Sequence, residues 1–453
     1  MQSLVSKYNI PGPRYTSYPT VPYWDEEGIS KSKWIESFKR SFQESNKEEG
    51  ISLYIHLPFC ESLCTFCGCN KRITKNHDVE DPYISALLKE WDMYLAHFNE
   101  APIISELHFG GGTPTFFSPQ SLDRLLEGIL SKGIVPKNHS YSFEGHPNNT
   151  NKEHLEVMNK HGFERASYGV QDLDLKVQQT INRVQPFANV QKVTEESRQS
   201  GYDSISFDLV YGLPHQTQDS VRYTIEKVKE LMPERIAFYS YAHVPWIKGN
   251  GQRGFDENDL PKNDEKRALY ELGYQLLLEA GYKEIGMDHF ALEHDSMFQS
   301  MKQKKLHRNF MGYTASKTQL MVGLGVSSIS DSWYAFAQNV KTVEEYYKQI
   351  EAGEIPIFKG HELTEEDLIV RRHILNIMCH FETDWKADLD KHPIIAESVS
   401  RLKEMEADEL VEIEPTGLKV TEKGKPFVRN ICMAFDLRLL RNKPTTQLFS
   451  MTI

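Results

Sequence analysis

The sequence predicts an α/β protein built as a partial (β/α)6 barrel, with an N-terminal arm and a mostly helical C-terminal domain. Short apolar runs alternate with amphipathic helical patterns from residue 51 onward, as in a parallel sheet covered by helices. Polar motifs directly follow several of these runs, and (β/α) barrels place their chemistry at the carboxyl ends of their strands. The chain has 453 residues, and the alternation stops after about residue 360, which indicates a second domain.

The predicted domains are the arm over residues 1–50, the catalytic barrel over 51–355 and the C-terminal domain over 356–453. The arm is rich in Pro and Tyr and contains the irregular run Gly12-Pro-Arg-Tyr-Thr-Ser-Tyr-Pro-Thr20. Short β-like runs indicate the strands of the barrel. These predicted strands are 52–58, 105–110, 139–144, 164–170, 204–211 and 235–241.

Helices are predicted between these strands. Asp81 is the expected N-cap of the first, with Pro82 at the first helical position, where its missing N–H costs nothing. Apolar residues then recur on one helical face, namely Ile84, Leu87, Leu88, Trp91, Leu95 and Phe98. The further predicted helices are 118–132, 151–161, 187–200, 219–231 and 263–280.

The C-terminal domain has a different pattern. Thr364 and Asp367 resemble a capping box that opens a helix ending at about residue 381. Residues 402–421 follow the order helix, strand, turn, strand, which is similar to a winged-helix unit. The many acidic residues in this stretch favour a packing or lid role over DNA binding.

Composition limits the possible partners and location. The net charge of −12 argues against broad nucleic-acid binding and means that an anionic substrate needs a local basic pocket. The N-terminus has no apolar signal core and no apolar run could span a bilayer, so we expect a cytoplasmic enzyme without a membrane partner. Four of the six cysteines lie within ten residues and two stand alone, which is typical of a metal site: Cys60, Cys64, Cys67 and Cys69, then Cys379 and Cys432.

The clustered cysteines predict an iron–sulfur site. Cys60-Glu-Ser-Leu-Cys64-Thr-Phe-Cys67 directly follows the apolar run that ends at Pro58. Three thiols with C-x3-C-x2-C spacing suit three corners of a [4Fe–4S] cube, which ordinarily has four thiolate ligands. Without an obvious fourth ligand, one iron stays open to a small molecule. Zinc is the alternative, but it usually takes four ligands in C-x2-C pairs, and a disulfide cannot use three clustered thiols.

Other polar or glycine-rich motifs follow the later strands. Phe109-Gly-Gly-Gly-Thr-Pro114 follows the second predicted strand. Glycines let a ligand approach the backbone without Cβ obstruction, although they also serve tight packing. Glu144 ends the third strand, Gln171 the fourth and Asp208 the fifth. Each is compatible with a surface position, but together they predict a ring of polar groups at one barrel mouth.

The cysteine spacing resembles that of the radical S-adenosylmethionine (SAM) superfamily. There, an open cluster iron binds SAM, and an electron passed to the sulfonium releases a 5′-deoxyadenosyl radical. Nearly the whole chain resembles the family of oxygen-independent coproporphyrinogen III oxidases (coproporphyrinogen dehydrogenases). The order and spacing of many stretches carry this resemblance: 12–20, 54–60, 63–71, 110–115, Gly169-Val-Gln-Asp172, 208–214, Tyr241-Ala-His-Val-Pro245, 286–290, Leu306-His-Arg-Asn-Phe310 and 429–433.

The resemblance implies a radical-SAM barrel with one [4Fe–4S] cluster and two SAM molecules per chain. Its cluster ligands are Cys60, Cys64 and Cys67, and Cys69 is a non-ligand. The residues implied to contact the cluster-bound SAM are Tyr54, Gly111, Glu144 and Ile329. Those implied to surround the second SAM are Phe66, Gly112, Thr113, Gln171, Arg183, Asp208 and Ala242. Carboxylates such as Asp208 suit a ribose diol or an ammonium group, and Arg183 suits a carboxylate.

The implied activity is the conversion of two propionates of coproporphyrinogen III to vinyls, giving protoporphyrinogen IX in anaerobic haem (porphyrin) biosynthesis. A radical removes a hydrogen from the propionate β-carbon, and loss of CO2 and one electron follows. The implied partners are this small molecule and an electron donor such as flavodoxin or ferredoxin, with a monomeric enzyme. Arginine reads carboxylates through paired hydrogen bonds, so Arg14 and Arg308 are the candidate substrate residues. A surface salt bridge that anchors the arm is the alternative for Arg14.

One position departs from the family, and two other functions stay open. Family members usually have Glu-x-Asp-Pro after the third strand, whereas this chain has Glu144-Gly-His146-Pro147, so the second carboxylate is replaced. The alternatives on the same scaffold are a haem-binding chaperone and another radical-SAM tetrapyrrole enzyme. The Arg-Tyr-Thr-Ser-Tyr-Pro arm and the continuation Cys67-Gly-Cys-Asn-Lys71 favour the oxidase over the chaperone.

Overall fold

A computed structural model of the protein describes residues 2–25, 28–244, 251–252, 254–387, 393–442, 444 and 448–452. Pro245, the last residue of one motif, lies outside this described part. The strands are β1 (Ile51–Leu57), β2 (Phe59–Cys60), β3 (Arg72–Ile73), β4 (Ile104–Gly111), β5 (Ser140–Gly145), β6 (Phe163–Gln171), β7 (Ser204–Tyr211), β8 (Arg235–Ser240), β9 (Lys283–Gly286), β10 (His289–Ala291), β11 (His307–Asn309), β12 (Gly312–Thr314), β13 (Leu320–Leu324), β14 (Ile329–Asp331), β15 (Ala335–Asn339), β16 (Ile357–Glu362), β17 (Glu382–Asp384), β18 (Val411–Glu414) and β19 (Gly417–Val420).

The helices pack against this framework and connect its strands. They are α1 (Gln2–Tyr8), α2 (Lys31–Ser45), α3 (Glu80–Leu95), α4 (Pro119–Leu130), α5 (Lys152–Lys160), α6 (Leu175–Thr180), α7 (Phe187–Gln199), α8 (Gln218–Leu231), α9 (Asn263–Glu279), α10 (Ser296–Lys302), α11 (Val343–Glu351), α12 (Glu365–His380), α13 (Pro393–Ala407), α14 (Val428–Met433) and α15 (Leu437–Arg441). Among the described residues, no helix combines the length and the apolar character needed to cross a bilayer.

A twelve-stranded sheet forms the main unit, in the order β16-β15-β14-β13-β1-β4-β5-β6-β7-β8-β10-β9. The six predicted strands are confirmed as β1 and β4–β8, which pair in parallel and in chain order. The sequence pattern missed β13, which adds a seventh parallel strand beside β1, and the antiparallel strands at both edges. The predicted α/β fold class is therefore correct, but the sheet is wider than six βα units.

The predicted capping role of Asp81 is wrong. A 3-10 turn over His77–Val79 precedes α3, and the Asn76 side chain caps that turn. The α-helix then continues directly from this turn and begins at Glu80, without a side-chain cap at Val79. Asp81 lies in the first turn instead, where it accepts a hydrogen bond from Arg124 at 2.8 Å and its charge suits the helix dipole.

The C-terminal unit shares an apolar core with the arm and with residues 285–313, and it contains a three-stranded sheet in the order β17-β19-β18. The predicted capping box is present, because Thr364 and Asp367 bond each other's backbone N–H at 3.1 and 3.0 Å. The order helix, strand, turn, strand is also found, as α13, β18 and β19. The boundary predicted after residue 355 stays a prediction, since β16 still pairs with β15 in the large sheet.

The N-terminal arm combines an irregular run with two helices that the sequence pattern did not indicate, α1 and α2. Tyr15 and Tyr18 of the irregular run are buried in the core of the C-terminal unit. Arg429 holds the backbone of the same run, because its Nε donates to the Pro13 carbonyl at 2.9 Å. Helix α2 packs on the large sheet, where Trp34 is completely buried. The arm therefore connects both units.

Candidate functional site

A cleft of about 580 Å³ lies at the carboxyl ends of the parallel strands, within the roughly 300–1,000 Å³ typical of ligand sites. Parallel strands end at the same edge, so residues far apart in sequence meet there. The structure thus brings most of the sequence-predicted site together. The predicted residues that line the cleft are Cys60, Cys64, Phe66, Cys67, Gly111, Gly112, Thr113, Glu144, Gln171, Arg183 and Asp208.

The three predicted ligand thiols each have a hydrogen-bond donor. The Thr113 hydroxyl donates to Cys60 Sγ at 3.3 Å, and Arg183 Nη1 lies 3.5 Å from Cys64 Sγ. A hydrogen bond from the Cys69 thiol lowers the pKa of Cys67 and raises that of Cys69. Burial raises the pKa of Cys60 to about 11, although the Thr113 bond opposes this shift. Donors of this kind stabilise thiolates, which are the form that binds metals.

The thiols fit an iron–sulfur cube better than a single ion. All six cysteines are free, and Cys60, Cys64 and Cys67 are each partly exposed to the cleft. Within the described part of the chain, no three His, Cys, Asp or Glu side chains converge on one metal ion. Zinc needs such convergence, with Zn–S distances of about 2.3 Å. A cube binds each thiolate through a different iron, so its ligand sulfurs do not need to converge.

The glycine run after β4 is required by packing as well as by ligand access. Gly111 has a φ of +114°, and a Cβ there would lie 2.8 Å from the His56 ring. A Cβ on Gly112 would lie 2.5 Å from the Pro58 carbonyl oxygen. The end of β4 therefore fits against the backbone that leads to the cysteines only because these side chains are absent.

One side of the cleft is formed by the ends of β1, β4 and β5. Glu144 Oε2 accepts a hydrogen bond from the Gly111 amide at 3.3 Å, and its Oε1 lies 3.5 Å from His108. The buried Tyr54 ring stacks 6.0 Å from His108, and its hydroxyl meets His56 Nδ1 at 3.1 Å. This network fixes Tyr54, Gly111 and Glu144 relative to one another.

The other side of the cleft is formed by β6, β7 and the segment after α6. The guanidinium of Arg183 donates to the Gly169 carbonyl at 2.6 and 3.2 Å, which turns it toward the cysteine loop. Gln171 has a φ of +65° at the end of β6. Burial, reinforced by the charge of Glu144, raises the pKa of Asp208 to about 7.

Phe66 and Ala242 are joined by a residue that lies outside every predicted motif. Gln252 Nε2 donates to both of their backbone carbonyls at 3.0 Å. The side chain of Gln252 is buried, so this bond connects the cysteine loop to the segment after β8. No feature of the sequence around residue 252 predicted this contact.

Five predicted residues do not line the cleft: Tyr54 and Ala242, whose contacts are given above, and Ile329, Arg14 and Arg308. Ile329 is buried in a small apolar cluster with Trp24 and Phe336. The Ile329 carbonyl lies against Gly323. Gly323 of β13 pairs in turn with Tyr54 of β1. The remaining two, Arg14 and Arg308, are described next.

Both candidate substrate arginines already have partners within the protein. Arg14 pairs with Asp288 and lies 5.8 Å from the centre of the Tyr239 ring, which lines the cleft. Arg308 is buried, and its guanidinium donates to the carbonyls of Arg14 at 3.2 Å and Tyr15 at 3.3 Å. The Tyr239 ring therefore lies between Arg14 and the cleft, and Arg308 holds the backbone of the arm in place.

Several cleft residues were not predicted. Lys71 donates to the carbonyls of Cys67 and Cys69 at 3.2 and 3.3 Å, and Lys75 lines the same cleft. Burial and the charge of Arg183 lower the pKa of His146 to about 3. The departure from the family pattern therefore places a neutral ring, rather than a carboxylate, beside Arg183.

Comparisons with known proteins agree with this geometry. The family model described as the radical SAM superfamily matches residues 54–228, which contain the three predicted ligand cysteines. An oxygen-independent coproporphyrinogen III oxidase of Escherichia coli is 36% identical over 461 residues, covering 100% of this chain and 98% of the relative. One from Helicobacter pylori is 37% identical over 445 residues and covers 96% of each chain.

A solved structure shows the same architecture over nearly the whole chain. The coproporphyrinogen III oxidase of Escherichia coli, described as a radical SAM enzyme, superposes with a TM-score of 0.89 at 34% identity. The match covers 97% of this chain and 99% of the other. It therefore includes the arm and the C-terminal unit as well as the barrel.

Proposed function

The chain belongs to the family of oxygen-independent coproporphyrinogen III oxidases in the radical SAM superfamily, and we propose that it converts two propionates of coproporphyrinogen III to vinyl groups. The product is protoporphyrinogen IX, an intermediate of anaerobic haem biosynthesis. The observation that carries this proposal is the cysteine triad, which opens into a cleft ringed by polar strand-end residues. The arm, which favours an oxidase over a chaperone, is folded into the molecule.

The family implies a [4Fe–4S] cluster and SAM, which together supply a 5′-deoxyadenosyl radical when one electron is added. Cys60, Cys64 and Cys67 would hold the cluster. Thr113 and Arg183 donate to two of these sulfurs, and hydrogen bonds to ligand sulfurs tune the potential of such clusters. Glu144 presents a carboxylate beside the open side of the cysteine loop, where it suits an ammonium group.

We infer two SAM sites per chain, because the family resemblance implies two sets of contact residues. Tyr54, Gly111 and Glu144 lie on one side of the cleft, with Ile329 behind them. The residues implied for the second SAM come from the cysteine loop, the turn after β4, the ends of β6 and β7 and the segments after α6 and β8, namely Phe66, Gly112, Thr113, Gln171, Arg183, Asp208 and Ala242. Equilibrium binding to the reconstituted protein tests this inference, since a clean single site contradicts it.

The substrate needs cations in an acidic protein, and the cleft supplies Lys71, Lys75 and Arg183. Arg14 is also a candidate to bind a propionate carboxylate, provided that its ion pair with Asp288 breaks. We further propose a monomeric, cytoplasmic enzyme that takes its electron from a small carrier such as flavodoxin or ferredoxin. Reduced thiols in the ligand set are consistent with that compartment.

The deciding experiment is anaerobic incubation of the reconstituted protein with SAM, a reductant and coproporphyrinogen III. Mass spectrometry should show the loss of two CO2 and four hydrogen atoms from the tetrapyrrole, and Cys64→Ala should abolish this change. Haem binding without decarboxylation would instead support the chaperone alternative. A methylated or ring-opened product would support another radical-SAM tetrapyrrole enzyme.

A further inference from the structure

A second cavity of about 150 Å³ lies inside the barrel beneath the cleft. Glu144, Asp208 and Tyr239 line both spaces, so the inner cavity adjoins the floor of the cleft. Its volume is below the roughly 300 Å³ at which pockets begin to hold whole small molecules. The inner cavity therefore suits one arm of a ligand whose body stays in the cleft.

Arg165 of β6 is the unusual group in this inner cavity. Among the described residues, its buried Nε has no hydrogen-bond partner, and its Nη2 makes a long contact of 3.4 Å to Ser142 Oγ. Burial and the nearby Arg235 lower the pKa of Arg165 to about 10, so the side chain is still a cation at neutral pH.

The neighbouring charges are already satisfied by other groups. Arg235 Nε donates to Asp295 at 2.8 Å, and both carboxylate oxygens of Glu106 accept hydrogen bonds from hydroxyls at 2.7 Å. These carboxylates act on Arg165 through space rather than through a hydrogen bond. A buried cation without a bonded counter-ion is unfavourable, so the cavity is built to receive an anionic oxygen.

The depth of Arg165 matches the reach of a propionate. Ser142, which its guanidinium contacts, precedes Glu144 by two residues on β5, and two residues of a strand span about 7 Å. Glu144 marks the level of the predicted cluster-bound SAM. A propionate whose β-carbon reaches that level would extend its carboxylate down toward Arg165.

We propose that Arg165 binds the carboxylate of the reacting propionate and thereby fixes which C–H bond faces the radical source. The inference rests on the proposed function, because it identifies the group that reads the substrate at that site. Arg165 suits this role since its planar fork can make paired hydrogen bonds to one carboxylate.

The test measures binding of coproporphyrin III, the stable tetra-acid, and of its tetramethyl ester to the cluster-loaded protein by fluorescence. Arg165→Met removes the charge and the hydrogen-bond donors, and Arg124→Met is the matched control, since it makes the same change at an arginine that lines neither the inner cavity nor the cleft. We expect Arg165→Met to weaken tetra-acid binding by about thirtyfold or more, while ester binding and cluster content stay unchanged. Arg124→Met should bind both probes like the unmodified protein.

A second variant and a turnover ratio keep the test decisive. Arg165→Lys replaces the fork with one ammonium, so we expect about tenfold weaker tetra-acid binding and more 5′-deoxyadenosine released per vinyl formed. The inference is overturned if Arg165→Met binds the tetra-acid as tightly as the unmodified protein does. If Arg165→Met does not fold, the same result for Arg165→Lys overturns it. Failure of the proposed function looks different, because then the unmodified protein itself forms no vinyl product.

Discussion

Gly112→Ala tests whether the close contact between β4 and the cysteine loop positions the cluster ligands. The new Cβ would lie 2.5 Å from the Pro58 carbonyl oxygen and 2.9 Å from that of Phe59. Reaching ordinary contact requires the two backbones to separate by about 0.9 Å. Cys60 follows Phe59 directly, so the separation displaces a predicted ligand.

The magnitude follows from the contacts that must change. Overpacking of this kind typically costs about 1–3 kcal/mol. The Gly112 amide donates to the Leu57 carbonyl at 2.9 Å, and the Thr113 amide donates to the Phe59 carbonyl at 3.0 Å. Stretching both bonds adds up to about 1 kcal/mol each. We therefore expect Gly112→Ala to lower the free energy of unfolding by about 1–5 kcal/mol and to reduce cluster content.

The assay is iron and sulfide content after anaerobic reconstitution, together with urea unfolding of the cluster-free protein. Gly68→Ala is the matched control, because Gly68 lies between Cys67 and Cys69, and no described atom would lie within 4 Å of its new Cβ. We expect Gly68→Ala to match the unmodified protein in both measurements. Equal cluster content and equal stability for Gly112→Ala and Gly68→Ala would refute the reasoning.

Three further predictions follow from the site. Cys64→Ala should abolish the roughly 400 nm cluster absorbance and turnover, whereas Cys69→Ala should keep a cluster; loss of the cluster in Cys69→Ala alone would show that the ligand set is misassigned. Burial raises the pKa of Asp208 to about 7, so from about pH 4 to pH 7 the folded protein retains a proton that the unfolded chain has lost, and stability falls as pH rises. Asp208→Asn should flatten this slope in urea unfolding of the cluster-free protein, and an unchanged slope would count against the shift. Arg14→Ala and Arg308→Ala should each raise the coproporphyrinogen KM while SAM cleavage without substrate continues. Arg308→Ala should in addition lower the free energy of unfolding, because it loses hydrogen bonds from a charged group that are worth about 1.5–3 kcal/mol each. Unchanged porphyrinogen kinetics in both variants would remove these two arginines from the substrate site.

The sequence predicted the part of the fold that depends on local pattern. The ends of strands β1 and β4–β8 were predicted within one residue, because each strand is a short buried run between amphipathic helices. The short antiparallel strands β9, β10 and β14 were missed, since each has three or four residues and too few positions to show a period. Likewise, β13 pairs with β1 across more than 260 residues, and nothing local indicates that partner.

The sequence by itself determined the chemistry of the site, whereas tertiary structure decided which side chains remain available. Three thiols and the polar residues at strand ends had to meet, because parallel strands end at one edge of the sheet. Whether an arginine is free depends on partners distant in the chain: Arg14 meets Asp288, and Arg308 meets the arm. Arg165 belongs to no predicted site, yet the assembled sheet leaves its guanidinium without a bonded carboxylate among the described residues. Burial raises the energetic cost of such a charge, and burial arises only when the whole sheet is assembled.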